Sequence, residues 1–212
     1  MRLFPLAFIF PFFFLPVLTN AQDGTISFGF SLSPERSSPS TFLYQFEDPI
    51  LDGFQLVENA KTSFSAGVVT QYWMNDYLSL RLGVEYSDKG YKQILISDLD
   101  GSLNITRYRF AYLSLPLTAK MPLNAGPSFG YLTSGVSVDI FLHGYGGYRN
   151  FFNDTFSQVA TSFILGIGVE SRLDEKFNFA FEPTFRLAMS DYSEVRAYRP
   201  FSIGLALRLI YR

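Results

Sequence analysis

The chain has 212 residues, a formal charge of −2 at pH 7, 18% aromatic and only 17% charged side chains, and no cysteine. That balance leaves no basic footprint for nucleic acid, and the absence of cysteine excludes a small disulfide-stapled secreted domain. So many aromatics with so few charges are unusual for a soluble exported protein, and the 24 phenylalanines must be housed somewhere.

Residues 1–21 place one basic residue, Arg2, ahead of an uncharged apolar run that ends at Leu18, followed by Thr19, Asn20 and Ala21. This is the layout of a cleaved export signal, with the cut expected between Ala21 and Gln22. The run is shorter than the roughly 20 residues a membrane-spanning helix needs, and Pro5, Pro11 and Pro16 would interrupt such a helix. Residues 22–212 then form one domain.

Eight segments alternate with period two, the mark of β-strands with two chemically different faces. The first, 24–32, carries Ile26, Phe28, Phe30 and Leu32 on one parity; 63–73 follows, and the short connection 74–76 leads into 77–91. There Leu78, Leu80, Leu82, Val84 and Tyr86 oppose Ser79, Arg81, Gly83, Glu85 and Ser87. In 106–120 the apolar parity slips between Tyr108, Phe110, Tyr112 and Leu113, Leu115, Leu117, which predicts a β-bulge near Tyr112. Pro116 cannot donate to a ladder and predicts a local break. Segments 128–142, 158–173, 177–189 and 200–212 complete the set. Connections 74–76, 121–126 and 174–176 are short, whereas 33–62, 88–105, 143–157 and 190–199 read as long loops. Short turns at one end and long loops at the other predict an all-β, eight-stranded antiparallel up-and-down transmembrane β-barrel of the outer membrane, with short periplasmic turns and long extracellular loops.

The less apolar face decides which side meets lipid. It is mostly Gly, Ser, Ala and Thr with embedded charges at Arg81, Glu85, Glu170, Glu182, Arg186 and Arg208. A glycine-rich strand face gains nothing from bulk water, but an eight-stranded barrel has an interior only wide enough for side chains. The six charges are therefore expected to pair as an ionic network filling the lumen, since an unpaired charge there is costly. The Leu, Val, Ile and Phe face then meets hydrocarbon. Two aromatic belts are expected, with Tyr72, Trp73, Tyr77, Phe177 and Tyr211 at the short-turn end and Tyr86, Tyr91, Tyr108 and Tyr192 toward the long loops.

The stretches LRLGVEYSDKGY, AYLSLPLTAK and GPSFGYLTSG carry a pattern in Tyr86, Ser87, Lys89, Gly90, Tyr112, Leu113, Leu115, Pro116, Leu117, Lys120, Gly126, Pro127, Tyr131 and Leu132. In these residues the chain resembles the PorT-like outer-membrane β-barrel family of Bacteroidetes, and the resemblance extends over most of residues 22–212. It implies a membrane barrel and, through the founding member, a link to type IX protein secretion or gliding. Members commonly carry Glu where this chain has Ser114, so the resemblance implies one missing interior carboxylate.

Function candidates rank accordingly. The first is a non-enzymatic barrel with a filled lumen, acting as a structural or interaction component through its loops; the second is a narrow pore for small solutes; the third is a hydrolase at the barrel rim. His143 is the sole histidine and no serine follows it at close spacing, which disfavours a nucleophile–base pair; without cysteine a metal cluster is disfavoured too. No catalytic residue, cofactor or metal is therefore expected. The expected partners are outer-membrane lipid and other envelope or secretion proteins. Phe42, Tyr44, Phe46 and Phe54, in the loop spanning 33–62, form a candidate contact surface.

Overall fold

The computed structural model describes residues 25–38, 54–97, 103–145, 157–192 and 199–212. These form eight strands: β1 (Ile26–Ser38), β2 (Phe54–Asn75), β3 (Leu78–Ser97), β4 (Leu103–Pro122), β5 (Ser128–Tyr145), β6 (Val159–Arg172), β7 (Phe177–Ala188) and β8 (Phe201–Tyr211). Each pairs antiparallel with its sequence neighbours, and β1 closes on β8 from Phe28↔Tyr211 to Ser38↔Phe201, giving a closed barrel. Closure satisfies backbone donors and acceptors between strands, the condition for a sheet to cross hydrocarbon.

The two faces are inverted relative to a soluble barrel. Along β7, Phe179, Phe181, Phe185 and Leu187 are exposed while Asn178, Ala180, Glu182, Thr184 and Arg186 are buried. The same holds on β3, where Leu80, Leu82, Val84 and Tyr86 point out and Ser79, Arg81, Glu85 and Ser87 point in. A surface this apolar in every strand is costly in water and favourable in lipid.

Three prolines leave marks on the ladder. Pairing of β3 with β4 skips from Leu82↔Leu117 to Glu85↔Ser114 beside Pro116, as the missing donor of that proline requires. Pairing of β1 with β8 skips from Leu32↔Leu207 to Glu35↔Gly204 beside Pro34, and β6 with β7 skips from Gly166↔Thr184 to Val169↔Phe181 beside Pro183. Each proline stays in register on its other side, opposite Ser137, Phe64 and Leu205 respectively. Gly83 sits under Pro116, where an added Cβ would lie 2.8 Å from the pyrrolidine Cγ.

Two expectations change. A register shift does fall between Ala111 and Tyr112, but the extra residue belongs to β5, because Ala111 faces His143 and Tyr112 faces Phe141. Parity in β4 is unbroken: Phe110, Tyr112, Ser114, Pro116, Thr118 and Lys120 are all buried, so the apparent slip comes from aromatics turned into the lumen. The connections 33–62 and 88–105 are also largely strand, since β1 runs on to Ser38, β2 starts at Phe54 and β3 and β4 leave only 98–102 between them.

Candidate functional site

The inward side chains build the candidate site, a column of paired charges along the barrel axis. Among the described residues, Glu35, Glu85, Asp139, Glu170 and Glu182 are buried on the lumen side with Arg81, Lys89, Lys120, Arg186 and Arg208. Five acids meet five bases in this column, and the further buried pair of Lys61 with Asp88 adds one of each, so the buried charges balance.

At the short-turn end Lys120 from β4 pairs with Glu170 from β6, whose other oxygen accepts from Asn178 Nδ2 at 2.7 Å. The ammonium lies 5.1 Å from the Trp73 ring centroid, 4.9 Å from Phe129 and 4.4 Å from Tyr131, an aromatic cage that suits a desolvated cation. One level up, Glu182 Oε2 accepts from Arg81 Nη1 at 3.0 Å, Arg208 Nη1 at 2.5 Å and the Tyr131 hydroxyl at 2.8 Å. Arg81 also donates to Gln71 Oε1 at 3.3 Å. The small residues make this possible: a Cβ at Gly168 would lie 2.6 Å from Tyr131 Cζ.

Next, Arg186 donates to Glu85 Oε2 at 2.9 Å and lies 3.8 Å from Glu35, which accepts from Ser65 and Ser202 at 2.8 and 2.9 Å. Nearest the long loops, Asp139 accepts from Lys89 Nζ at 2.7 Å, Ser114 at 2.5 Å, Ser137 and Ser162 at 3.1 Å, and the Tyr192 hydroxyl. Lys89 is caged by Tyr112 and Tyr192, with ring centroids 5.3 and 5.0 Å away. Phe110, Tyr112, Ala160, Ala188 and Tyr192 close the lumen there, with Tyr91, Tyr108 and Phe141 packed against them. Between the ends, Arg81, Glu85, Arg186 and Arg208 line a cavity with room for roughly one water.

The six charges expected in the lumen all lie there, but Glu170 takes a lysine rather than an arginine as its partner. Sequence reasoning did not single out Lys89, Lys120, Asp139 and Glu35 as lumen groups. Asp139 and Ser137 share the parity of Tyr131 and Thr133 in β5, a signal available from alternation alone. Ser114 pairs across the ladder with Asp139 and donates to it, so an interior carboxylate stands on β5 directly beside that position. The belts also change: Tyr72, Tyr77, Phe177, Tyr211 and Tyr86 face outward, whereas Trp73 and Tyr192 are lumen residues and Tyr91 and Tyr108 pack toward the inner cluster. Phe42, Tyr44 and Phe46 lie outside the described residues, and Phe54 is the first residue of β2. His143 is exposed near the end of β5, and no group of three or more His, Cys, Asp or Glu suited to a metal occurs among the described residues.

Neisserial surface protein A has the same fold: its solved structure is 16% identical, covers 89% of this chain and 99% of its own, and superposes with a TM-score of 0.53. The outer membrane protein OprG from Pseudomonas aeruginosa is 14% identical over 89% of this chain and 94% of its own, with a TM-score of 0.46. Among curated proteins none matches. The family model for the outer membrane protein beta-barrel domain matches residues 20–211. With a closed barrel, an apolar outside and a match over nearly its whole length, the chain belongs to the outer membrane protein beta-barrel domain family.

Proposed function

We propose that this outer-membrane barrel is non-enzymatic and non-conducting, a structural or interaction component that works through its long-loop end. One observation supports the reading above the rest: four buried acid–base sets, two of them built on aromatic-caged lysines, occupy the lumen from end to end, leaving mid-barrel space for roughly one water. Conduction would require breaking pairs such as Arg81–Glu182 and Arg186–Glu85, each with both members nearly inaccessible to solvent. The resemblance to PorT-like barrels extends the reading to protein secretion or gliding, with partner envelope proteins meeting the loops and the residue 22 onward segment maturing after removal of the signal.

Single-channel recording in planar bilayers tests it. The folded barrel is expected to pass essentially no current, and stable unitary conductance from the wild-type chain would replace this reading with a narrow pore. Affinity purification from solubilised membranes then identifies the partner, and recovery of the barrel alone under crosslinking would argue against an interaction role.

A further inference from the structure

We infer that the outward surface of β1–β4, just beyond the apolar band, binds the phosphates of an anionic outer-leaflet lipid. Arg36 follows the outward parity of Phe28, Phe30 and Leu32 on β1, Lys92 that of Leu80, Leu82, Val84 and Tyr86 on β3, and Arg107 and Arg109 that of Leu113 and Leu117 on β4. Arg36 lies four residues past Leu32, and Arg109 four residues before Leu113. A tilted strand advances about 2.5 Å per residue along the barrel axis, so these two guanidinium groups branch from the wall about 10 Å beyond Leu32 and Leu113, with Ile105 and Leu103 exposed again farther out on β4. The headgroup layer is roughly 5–8 Å deep on each side, within reach of long basic side chains.

Lys92 and Arg107 are direct cross-strand partners. Like charges in that position destabilise a sheet, and an external anion bridging them removes the penalty. The neighbouring groups are already arranged for this. Arg109 holds Asp88 through Nε at 3.2 Å and Nη2 at 2.6 Å while its side chain stays 56% exposed, and Lys61 holds the other oxygen of Asp88 at 3.1 Å. Asp88 fixes these two cations but offsets only one charge. Lys61 is itself buried, so among the described side chains on this surface Arg36, Lys92, Arg107 and Arg109, set against Asp88, keep a net excess of three positive charges. Outer-membrane barrels point their long-loop ends away from the cell, which places the patch at the outer leaflet. The site is independent of whether the lumen conducts.

The test uses the full chain in neutral detergent and titrates lipid A, a glycolipid with two phosphates, against phosphatidylcholine, reading bound lipid by native mass spectrometry. The wild type is expected to hold lipid A at least about tenfold more tightly. The variant Lys92→Gln/Arg107→Gln, checked for folded-barrel mobility on unheated gels, is expected to lose about tenfold or more of that affinity. Arg172→Gln/Lys176→Gln, at the short-turn end, is expected to bind as the wild type does. Equal affinity for the two lipids, or for wild type and Lys92→Gln/Arg107→Gln, overturns the proposal. Displacement of lipid A by inorganic phosphate at matched concentration assigns the site to free phosphate and overturns the lipid. If the double variant fails to fold, Arg36→Gln supplies the same comparison, with a loss of about threefold or more expected.

Discussion

Replacing Glu182 by glutamine isolates the contribution of the mid-lumen charge cluster. The carboxylate is fully buried and is held by Arg81, Arg208 and Tyr131, whose donors lie at 3.0, 2.5 and 2.8 Å. The two arginine side chains are only 3% and 10% accessible, so little solvent is available to screen them once the anion is gone. Glutamine preserves volume and still accepts from Tyr131, which leaves the orphaned guanidinium groups as the dominant effect. Breaking a buried pair costs about 3–5 kcal/mol, against about 0.2–1 kcal/mol for an exposed one. Trp73 is the sole tryptophan and lies beside Lys120 and Phe129 at the neighbouring level, a built-in reporter for urea unfolding in lipid vesicles. Glu182→Gln is expected to cost about 3–5 kcal/mol. Adding Arg208→Met, which restores neutrality, is expected to recover at least about 1 kcal/mol of that loss. A cost below about 1 kcal/mol for the single variant, or no recovery in the double, would refute the picture of a dry, electrostatically balanced lumen.

Other outcomes follow from the same geometry. Lys120→Met strands Glu170 and should cost about 3–5 kcal/mol, with partial recovery in Lys120→Met/Glu170→Leu, read by the same unfolding titration. Leu82→Arg, on the lipid side, should cost about 2–4 kcal/mol in vesicles; a negligible cost would mean that Leu82, 48% exposed, does not face hydrocarbon. Gly168→Val should push the Tyr131 ring off Glu182, lowering the urea midpoint and shifting Trp73 emission, whereas an unchanged spectrum would contradict the close approach.

The strands were legible wherever one face met lipid and the other a packed interior, because only that contrast imposes period two. It fades at the start of β2, FQLVENAKT, and the end of β3, KQILIS, so both read as loop although they are strand. Charge on a face of small residues was sufficient to place Arg81, Glu182 and Arg186 inside. It did not choose partners, since Arg81 and Glu182 stand 101 positions apart in the chain and meet only when the barrel closes. Trp73 and Tyr192 misled for a different reason: an amphipathic ring suits a headgroup layer and a cation cage equally well. Parity resolves the first, since Trp73 shares the inward set of Val69 and Gln71. Glu35 escaped notice because β1 was expected to stop at Leu32, three residues earlier.

The unequal strand lengths give the barrel a lopsided rim. β2, β3 and β4 have 22, 20 and 20 residues, whereas β6, β7 and β8 have 14, 12 and 11. One flank therefore rises as a tall parapet while the opposite flank stays low. A neighbour diffusing in the plane of the bilayer meets a different profile from each compass direction, and lateral encounters become orientation-selective before any loop makes contact.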